Sequence, residues 1–169
     1  MNRLIDIVRS FADRRMLIIG DAIADQFLYG NISRVSREAP VFILRHEQTQ
    51  TVPGGAANCA MNLAALGAKV SLIAAVGNDE AGNQLRAKLE AAGVDVNGVT
   101  VSDKIQTTTK VRILAGQSHS NRQQVIRIDY EGNPLPDGER GDPILGALKK
   151  ALAATEAVVI SDYNYGVVD

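Results

Sequence analysis

The chain has 169 residues, of which 46% are hydrophobic and 22% charged, and its formal net charge is −1. This composition is typical of one ordinary globular domain with a substantial core. Basic residues occur at most in pairs, no apolar run approaches about 18 residues, and charges interrupt the N-terminal segment, which argues against a nucleic-acid-binding face, a membrane span and a signal peptide.

Apolar strands alternate with amphipathic helices along most of the chain. In chain order, we expect a helix at 3–13, a strand at 16–19, a turn at 53–55, a helix at 56–66, a strand at 70–76, a helix at 79–92, a short strand at 99–101, a polar loop at 134–143, a helix at 143–154 and a buried strand at 157–160. Gly67 stands where a left-handed C-cap is expected. Strands that are apolar throughout are typical of a parallel sheet covered on both faces. The predicted fold class is therefore α/β, a parallel sheet flanked by helices.

Two pairs of more polar segments do not fit that sheet. Residues 26–30 and 41–51 are rich in β-forming residues, and residues 107–115 and 123–130 alternate in polarity around a polar loop at 116–122. The second pair is predicted to form an antiparallel hairpin. Because all of these segments are amphipathic, we expect them to form a small separate sheet that projects from the main one.

A glycine pair opens the predicted helix at 56–66. Gly54 and Gly55 have no Cβ, so the backbone can approach a ligand closely, and the helix that follows directs free N–H groups at the same place. Asn58 adds both a donor and an acceptor. This arrangement suits a polyhydroxylated ligand, although a tight turn whose small residues let the helix pack on the sheet explains the same pattern.

Three acidic residues stand at the ends of predicted strands. In an open parallel sheet, ligands collect beyond the carboxyl ends of the strands. Asp21 and Asp25 follow the first strand and Asp162 follows the last. We expect these carboxylates to accept hydrogen bonds from ligand hydroxyls. The alternative is that they are ordinary turn residues.

Cations also cluster on the predicted hairpin. Lys110 and Arg112 are two residues apart and so share one face of a strand, and Arg127 and Asp129 have the same relation on the partner strand. Two cations on one face predict a phosphate-binding site, Arg by bidentate contact and Lys as a point charge. The alternative is a solvated face that keeps an edge strand soluble.

Cysteine and histidine usage excludes two further kinds of site. The single cysteine, Cys59, cannot form an internal disulfide and is expected to be a small core residue. His46 and His119 are far apart in the sequence and are expected to be exposed polar residues rather than metal ligands. We therefore expect no metal site and a reduced, cytoplasmic compartment.

The glycine pair belongs to a longer pattern. The segments 54–67 (GGAANCAMNLAALG) and 76–82 (VGNDEAG) resemble the first signature of the ribokinase-like, phosphofructokinase B type carbohydrate kinases. The segments 33–41 (SRVSREAPV), 107–112 (TTTKVR) and 123–129 (QQVIRID) resemble the heptose-7-phosphate kinase branch of that family.

This resemblance implies a role for most of the candidate residues. It identifies the polar segments, about 26–52 and 105–131, as a β-lid over a sugar site that is often used for dimer contacts. It implies sugar contacts from Asp25, Gly54, Gly55 and Asn58. The lid cations Lys110 and Arg112 are expected near the substrate's phosphate, with Arg127, Asp21 and Asp162 as further candidates. The implied substrate is a sugar phosphate, the implied cofactors are ATP and Mg²⁺ in the full-length enzyme, and the implied pathway is ADP-heptose and lipopolysaccharide core synthesis.

Two departures from the family pattern qualify this reading. Tyr165 stands where the family usually has lysine. The Gly-x-Gly-Asp segment that carries the family's catalytic aspartate does not occur in the chain. We therefore expect residues 1–169 to be an incomplete kinase domain, the sugar-binding half, with no catalytic residue and no bound ATP of its own. Left open are an inactive remnant and one half of a split kinase.

Overall fold

The computed structural model describes residues 2–116 and 121–168. Within them the helices are α1 (Asn2–Arg9), α2 (Gly55–Ala65), α3 (Glu80–Ala91) and α4 (Asp137–Leu152). The strands are β1 (Arg15–Gly20), β2 (Ala22–Val35), β3 (Phe42–Gly54), β4 (Lys69–Gly77), β5 (Asp95–Ser102), β6 (Thr109–Gly116), β7 (Gln123–Tyr130) and β8 (Ala157–Ser161). His119 and the middle of the predicted 116–122 loop lie outside the described residues.

The hydrophobic core is built on a parallel four-stranded sheet in the order β5-β4-β1-β8. Its central strand β1 is apolar because both faces are covered, and Leu17 and Ile18 have no exposed surface. One face packs against α2 and α3 through residues such as Leu85 and Leu89. The other packs against α4 through Ile144. The α/β class predicted from the sequence is therefore confirmed.

The polar segments form a second four-stranded sheet, in the order β3-β2-β6-β7. β2 pairs antiparallel with β3, β6 pairs antiparallel with β7, and the two hairpins meet through the parallel β2–β6 pair. The separate sheet and its hairpin were both predicted from the alternating polarity. We call this sheet the lid sheet. The strand β2 begins directly after Asp21, so the lid sheet grows out of the carboxyl end of β1.

Two predicted features around proline are wrong. The expected turn at 53–55 does not exist, because β3 stays paired with β2 up to Gly54 and α2 begins at the next residue. The helix expected at 143–154 begins six residues earlier, at Asp137, and contains Pro143. Proline has no N–H and is favoured in a first helical turn, but Pro143 lies inside α4, beyond its first turn.

The expected burial of the last strand is also wrong. β8 pairs with β1 on one side only, and in the described part of the chain no strand pairs with its other edge. Val158 is 41% exposed and Ile160 is 63% exposed. An apolar groove of about 620 Å³, between β8 and α4, is lined by Leu145, Leu148 and the same two β8 residues.

The ends of α2 and α3 agree closely with the sequence prediction, but α1 ends at Arg9, earlier than the expected residue 13. Gly67 and Gly93, with φ of 92° and 79°, follow α2 and α3 in the left-handed conformation that glycine tolerates. No helix within the described ranges is both long enough and apolar enough to span a membrane.

Candidate functional site

The candidate site lies where the lid sheet, the start of α2 and the end of β1 meet. Asp25 is on β2, beside the end of β3. A Cβ atom on Gly54 would lie 2.5 Å from Oδ2 of Asp25, which is closer than any side chain tolerates. The missing side chain at Gly54 therefore gives the Asp25 carboxylate its place at the N-terminal end of α2. The sequence predicted both residues for one site, and the structure brings them into contact.

The second glycine anchors the helix to the sheet. Gly55 has φ of 55°, and a Cβ on it would lie 2.4 Å from the carbonyl oxygen of Asp21. The N–H of Ala56 donates to that same oxygen over 2.9 Å. Gly55 is thus required for close backbone packing, which was the alternative reading of the glycine pair, whereas Gly54 makes room for a functional group.

Asn58 lies in the first turn of α2 and is exposed. Its Oδ1 accepts a hydrogen bond from Nδ2 of Asn62 over 3.3 Å. The side chain is therefore accessible and retains hydrogen-bonding capacity at the helix N-terminus, where the backbone dipole also favours negative charge.

Asp21 has a different environment from the other candidate carboxylates. It is only 2% exposed, and its oxygens accept backbone N–H groups from Tyr163 at 2.8 Å, Tyr165 at 3.1 Å and Val167 at 3.3 Å. These bonds hold the loop after β8 against the end of β1. Asp21 was predicted as a sugar ligand; the loop takes up three of its acceptor positions, and its part in sugar binding stays a prediction.

Asp162 lies in the same loop and is exposed. Its Oδ1 accepts from the backbone N–H of Asn164 over 2.8 Å, and Asn164 adopts φ of 63°. This is the local turn that aspartate commonly forms. The bond fits the alternative reading of Asp162 as a turn residue, and its role in ligand binding stays a prediction.

The lid cations lie on the face of the lid sheet that carries Asp25. In register, Asp25 stands opposite Lys110, and Arg112 stands opposite Arg127. Arg112 forms an ion pair with Asp25 over 2.6 Å, and both side chains are 23% exposed. Arg127 forms one with Asp129 over 2.9 Å on its own strand. The shared face was predicted, but the neutralising carboxylates were not.

Lys110 differs from these two arginines. It makes no ion pair with any described residue, and its Nζ lies 5.6 Å from the ring centroid of Tyr165. The Tyr165 hydroxyl donates to Oε1 of Glu131 over 3.1 Å. Tyr165 stands where the resemblance leads one to expect lysine, and the structure places its ring beside the site.

Aromatic residues of β2 are the part of the site that sequence reasoning missed. Arg112 stacks over Phe27, with 5.5 Å from its Cζ to the ring centroid, and Arg122 lies over Tyr29 at the same distance. Arg122 also pairs with Glu47. The period-two spacing of Asp25, Phe27 and Tyr29 was the signal that could have found this face.

A partly buried polar network ties the lid sheet to the core. Asp79 caps α3 by accepting from the Gly82 N–H over 2.8 Å. It also accepts from the N–H of Thr107 over 2.8 Å and from its hydroxyl over 2.7 Å, just before β6 begins. Burial raises the pKa of the Asp79 carboxyl, but these hydrogen bonds outweigh burial and hold the pKa below its usual value. The network fixes the point at which β6 leaves the core.

The remaining titratable candidates do not form a site. Within residues 2–116 and 121–168, no group of three or more His, Cys, Asp or Glu side chains is placed to hold a metal ion. His46 is exposed and hydrogen-bonded to Thr49 over 2.9 Å. Cys59 packs against the core, as predicted, and burial raises the pKa of its thiol.

A large cleft also lies away from these residues. It measures about 710 Å³ and runs along the N-terminal edge of the parallel sheet beside α4, lined among others by Met16, Val70 and Ala151. Neither Asp25 nor Gly54 lines it. Because ligands of open α/β sheets bind at the carboxyl ends of the strands, we place the candidate site at the junction with the lid sheet.

Known proteins are similar to this chain over most of its length. A family model described as pfkB family carbohydrate kinase matches residues 14–135. The bifunctional protein HldE of Azorhizobium caulinodans is 43% identical over 151 residues, which are 89% of this chain and 30% of that protein. The D-beta-D-heptose 7-phosphate kinase of Bordetella bronchiseptica is 40% identical over 158 residues, 94% of this chain and 48% of that protein. The chain thus spans less than half the length of either relative.

A solved structure shares the fold. Ribokinase from Cryptococcus neoformans var. grubii, in complex with ADP, has a TM-score of 0.55 and 22% identity, covering 88% of this chain and 40% of that one. At this identity the likeness shows the ribokinase-like fold alone. The matched family model, in contrast, runs from the start of β1 through the glycine pair and both lid hairpins. The chain belongs to the pfkB family of carbohydrate kinases.

Proposed function

We propose that this chain provides the sugar-phosphate-binding side of an ATP-dependent heptose 7-phosphate kinase. The observation that carries the proposal is the Asp25 carboxylate lying over Gly54 at the start of α2, with Lys110 and Arg112 on the same lid face. A carboxylate accepts sugar hydroxyls, and cations attract a phosphate. The names of the two relatives, HldE and heptose 7-phosphate kinase, support heptose as the sugar.

Each residue of the site has a chemical task in this proposal. Asp25 accepts hydrogen bonds from hydroxyls of the sugar, and its ion pair with Arg112 fixes the carboxylate before the sugar binds. Asn58 donates and accepts at the adjacent helix N-terminus. Lys110, which forms no ion pair with a described carboxylate, attracts the phosphate. The lid sheet covers the sugar and excludes water from it.

The nucleotide side of the reaction is not assigned to this chain. ATP supplies the phosphoryl group that the whole protein transfers to the sugar phosphate. We propose that Mg²⁺ accompanies this ATP, held through the phosphates and water rather than by a cluster of acidic side chains in the described part of the chain. We further propose that the whole protein forms a homodimer through the lid sheet and serves ADP-heptose and lipopolysaccharide core synthesis.

Equilibrium binding tests the proposal directly. Isothermal titration of the chain with heptose 7-phosphate should show one site per chain. Asn58→Ala and Asp25→Asn should each weaken binding roughly five- to hundred-fold, the effect of losing a polar contact worth about 1–3 kcal/mol. Asn83→Ala, an exposed asparagine on α3, is the matched control and should leave the affinity unchanged. Wild-type affinity in both site variants would reject the assignment.

A further inference from the structure

Tyr165 connects three parts of the molecule at the candidate site. Its backbone N–H donates to buried Asp21 at the end of β1 over 3.1 Å. Its hydroxyl donates to Glu131, just beyond the end of β7, over 3.1 Å. Its ring lies under the ammonium of Lys110 on β6, at 5.6 Å. The ring is therefore held at both ends, by the loop backbone and by its hydroxyl, while its face meets a lid cation.

Lys110 is paired differently from the arginines of the same hairpin region. Arg112, Arg122 and Arg127 each contact a carboxylate, from Asp25, Glu47 and Asp129 respectively. Lys110 stands opposite Asp25 and Asp129 in register, but both carboxylates pair with arginines, and Lys110 makes no ion pair with a described residue.

An aromatic ring attracts a cation through its quadrupole but carries no net charge. It therefore restrains the ammonium without neutralising it. A carboxylate in the same place would compete with an incoming anion for the charge.

We propose that Tyr165 is a positioning residue that holds the Lys110 ammonium, which forms no ion pair among the described residues, for the phosphate group of the sugar substrate. Through this contact Tyr165 contributes to the preference for phosphorylated over unphosphorylated sugar. The inference rests on the proposed function, because it assumes that a sugar phosphate binds beside Asp25. It assigns no direct substrate contact to Tyr165.

The test separates the ring from the hydroxyl. Dissociation constants of the chain are measured for heptose 7-phosphate and for the same heptose without phosphate, and their ratio gives the selectivity for phosphate. Tyr165→Phe keeps the ring and loses the bond to Glu131, so its selectivity should stay that of the wild type. Tyr165→Leu loses the ring and should reduce the selectivity by roughly two- to five-fold, the range of an exposed cation–π contact.

A double substitution shows whether the effect passes through the lysine. Lys110→Met should reduce the selectivity at least as much as Tyr165→Leu, and adding Tyr165→Leu to it should change the selectivity no further. An equal loss of affinity for both ligands in Tyr165→Leu would mean that Tyr165 only supports the fold, and would overturn the inference. A further loss of selectivity in the double variant would also overturn it.

One readout needs no ligand. The aromatic ring current should shift the Lys110 ε-methylene protons upfield in the NMR spectrum of the wild-type chain and of Tyr165→Phe. Unshifted protons would overturn the contact itself. Failure to bind heptose 7-phosphate at all would overturn the proposed function and this inference together. Selective binding that Tyr165→Leu leaves intact would overturn this inference alone.

Discussion

Replacing Asp79 with alanine should destabilise the chain more than an ordinary surface substitution. The side chain accepts from the Gly82 N–H and from both the N–H and the hydroxyl of Thr107. Loss of a helix N-cap costs about 1 kcal/mol. Thr107 is only 1% exposed, so its N–H and hydroxyl are shielded from most of the solvent. Its unsatisfied donors add about 1–3 kcal/mol. We therefore expect the free energy of unfolding to fall by about 2–4 kcal/mol.

Urea unfolding followed by circular dichroism measures this loss. Asp6→Ala, at an exposed position on α1, is the matched control and should change the free energy of unfolding by at most about 0.5 kcal/mol. Thr107→Val together with Asp79→Ala should cost less than the sum of the single substitutions, because the two side chains share hydrogen bonds. A loss in Asp79→Ala no larger than that of the control would refute the reasoning.

The same comparison has a defined pH dependence. The pKa of the Asp79 carboxyl is lowered in the folded chain, because hydrogen bonds to the carboxylate outweigh its burial. A lowered pKa stabilises the fold above the unfolded pKa of about 3.9, and this contribution is lost as the pH falls through the folded pKa. The gap in stability between wild type and Asp79→Ala should therefore narrow below about pH 4. A gap that widens there would contradict the hydrogen-bonding assignment.

Three further predictions concern Gly54, Cys59 and the exposed edge of β8. Gly54→Ala should weaken binding of heptose 7-phosphate, because the added methyl group would displace the Asp25 carboxylate. Gly138→Ala, whose Cβ meets no atom within 4 Å, should leave the affinity unchanged. Isothermal titration calorimetry measures both affinities. Cys59 should react with iodoacetamide more slowly than free cysteine at pH 7, because burial raises its thiol pKa; an equal rate would contradict this. The isolated chain should self-associate in light scattering, because the β8 edge exposes Ile160; a clean monomer would argue against this.

The sequence predicted the two-sheet architecture because hydrophobic period is a local property. The uninterrupted run at 16–19 indicated a strand covered on both faces, and the alternation at 107–115 and 123–130 indicated a sheet with one apolar face. The errors concern features that depend on distant partners. Gly54 reads locally as part of a turn, but pairing with Ile23 keeps it extended. Pro143 reads locally as a helix start, although α4 already contains it.

The sequence predicted which types of residue form the site, but not which of these residues pair with one another. The carboxylate Asp25 and the lid cations were found from motif and spacing. That Asp25 neutralises Arg112, and that Asp21 holds a loop, depends on contacts between residues distant in sequence. The contact between the Tyr165 ring and Lys110 also joins residues that are distant in sequence. Such contacts leave no periodic signal, so only the folded chain shows which of the lid cations form ion pairs.

The most direct test of the central claim is an amide NMR titration of the ¹⁵N-labelled chain with heptose 7-phosphate. The account predicts that the largest shift changes fall on Gly54, Gly55 and Asn58 at the start of α2, and on Lys110 in the lid sheet. Changes confined to the groove between β8 and α4, or no saturable change at millimolar ligand, would contradict a sugar-phosphate site at the junction of the lid sheet and the core.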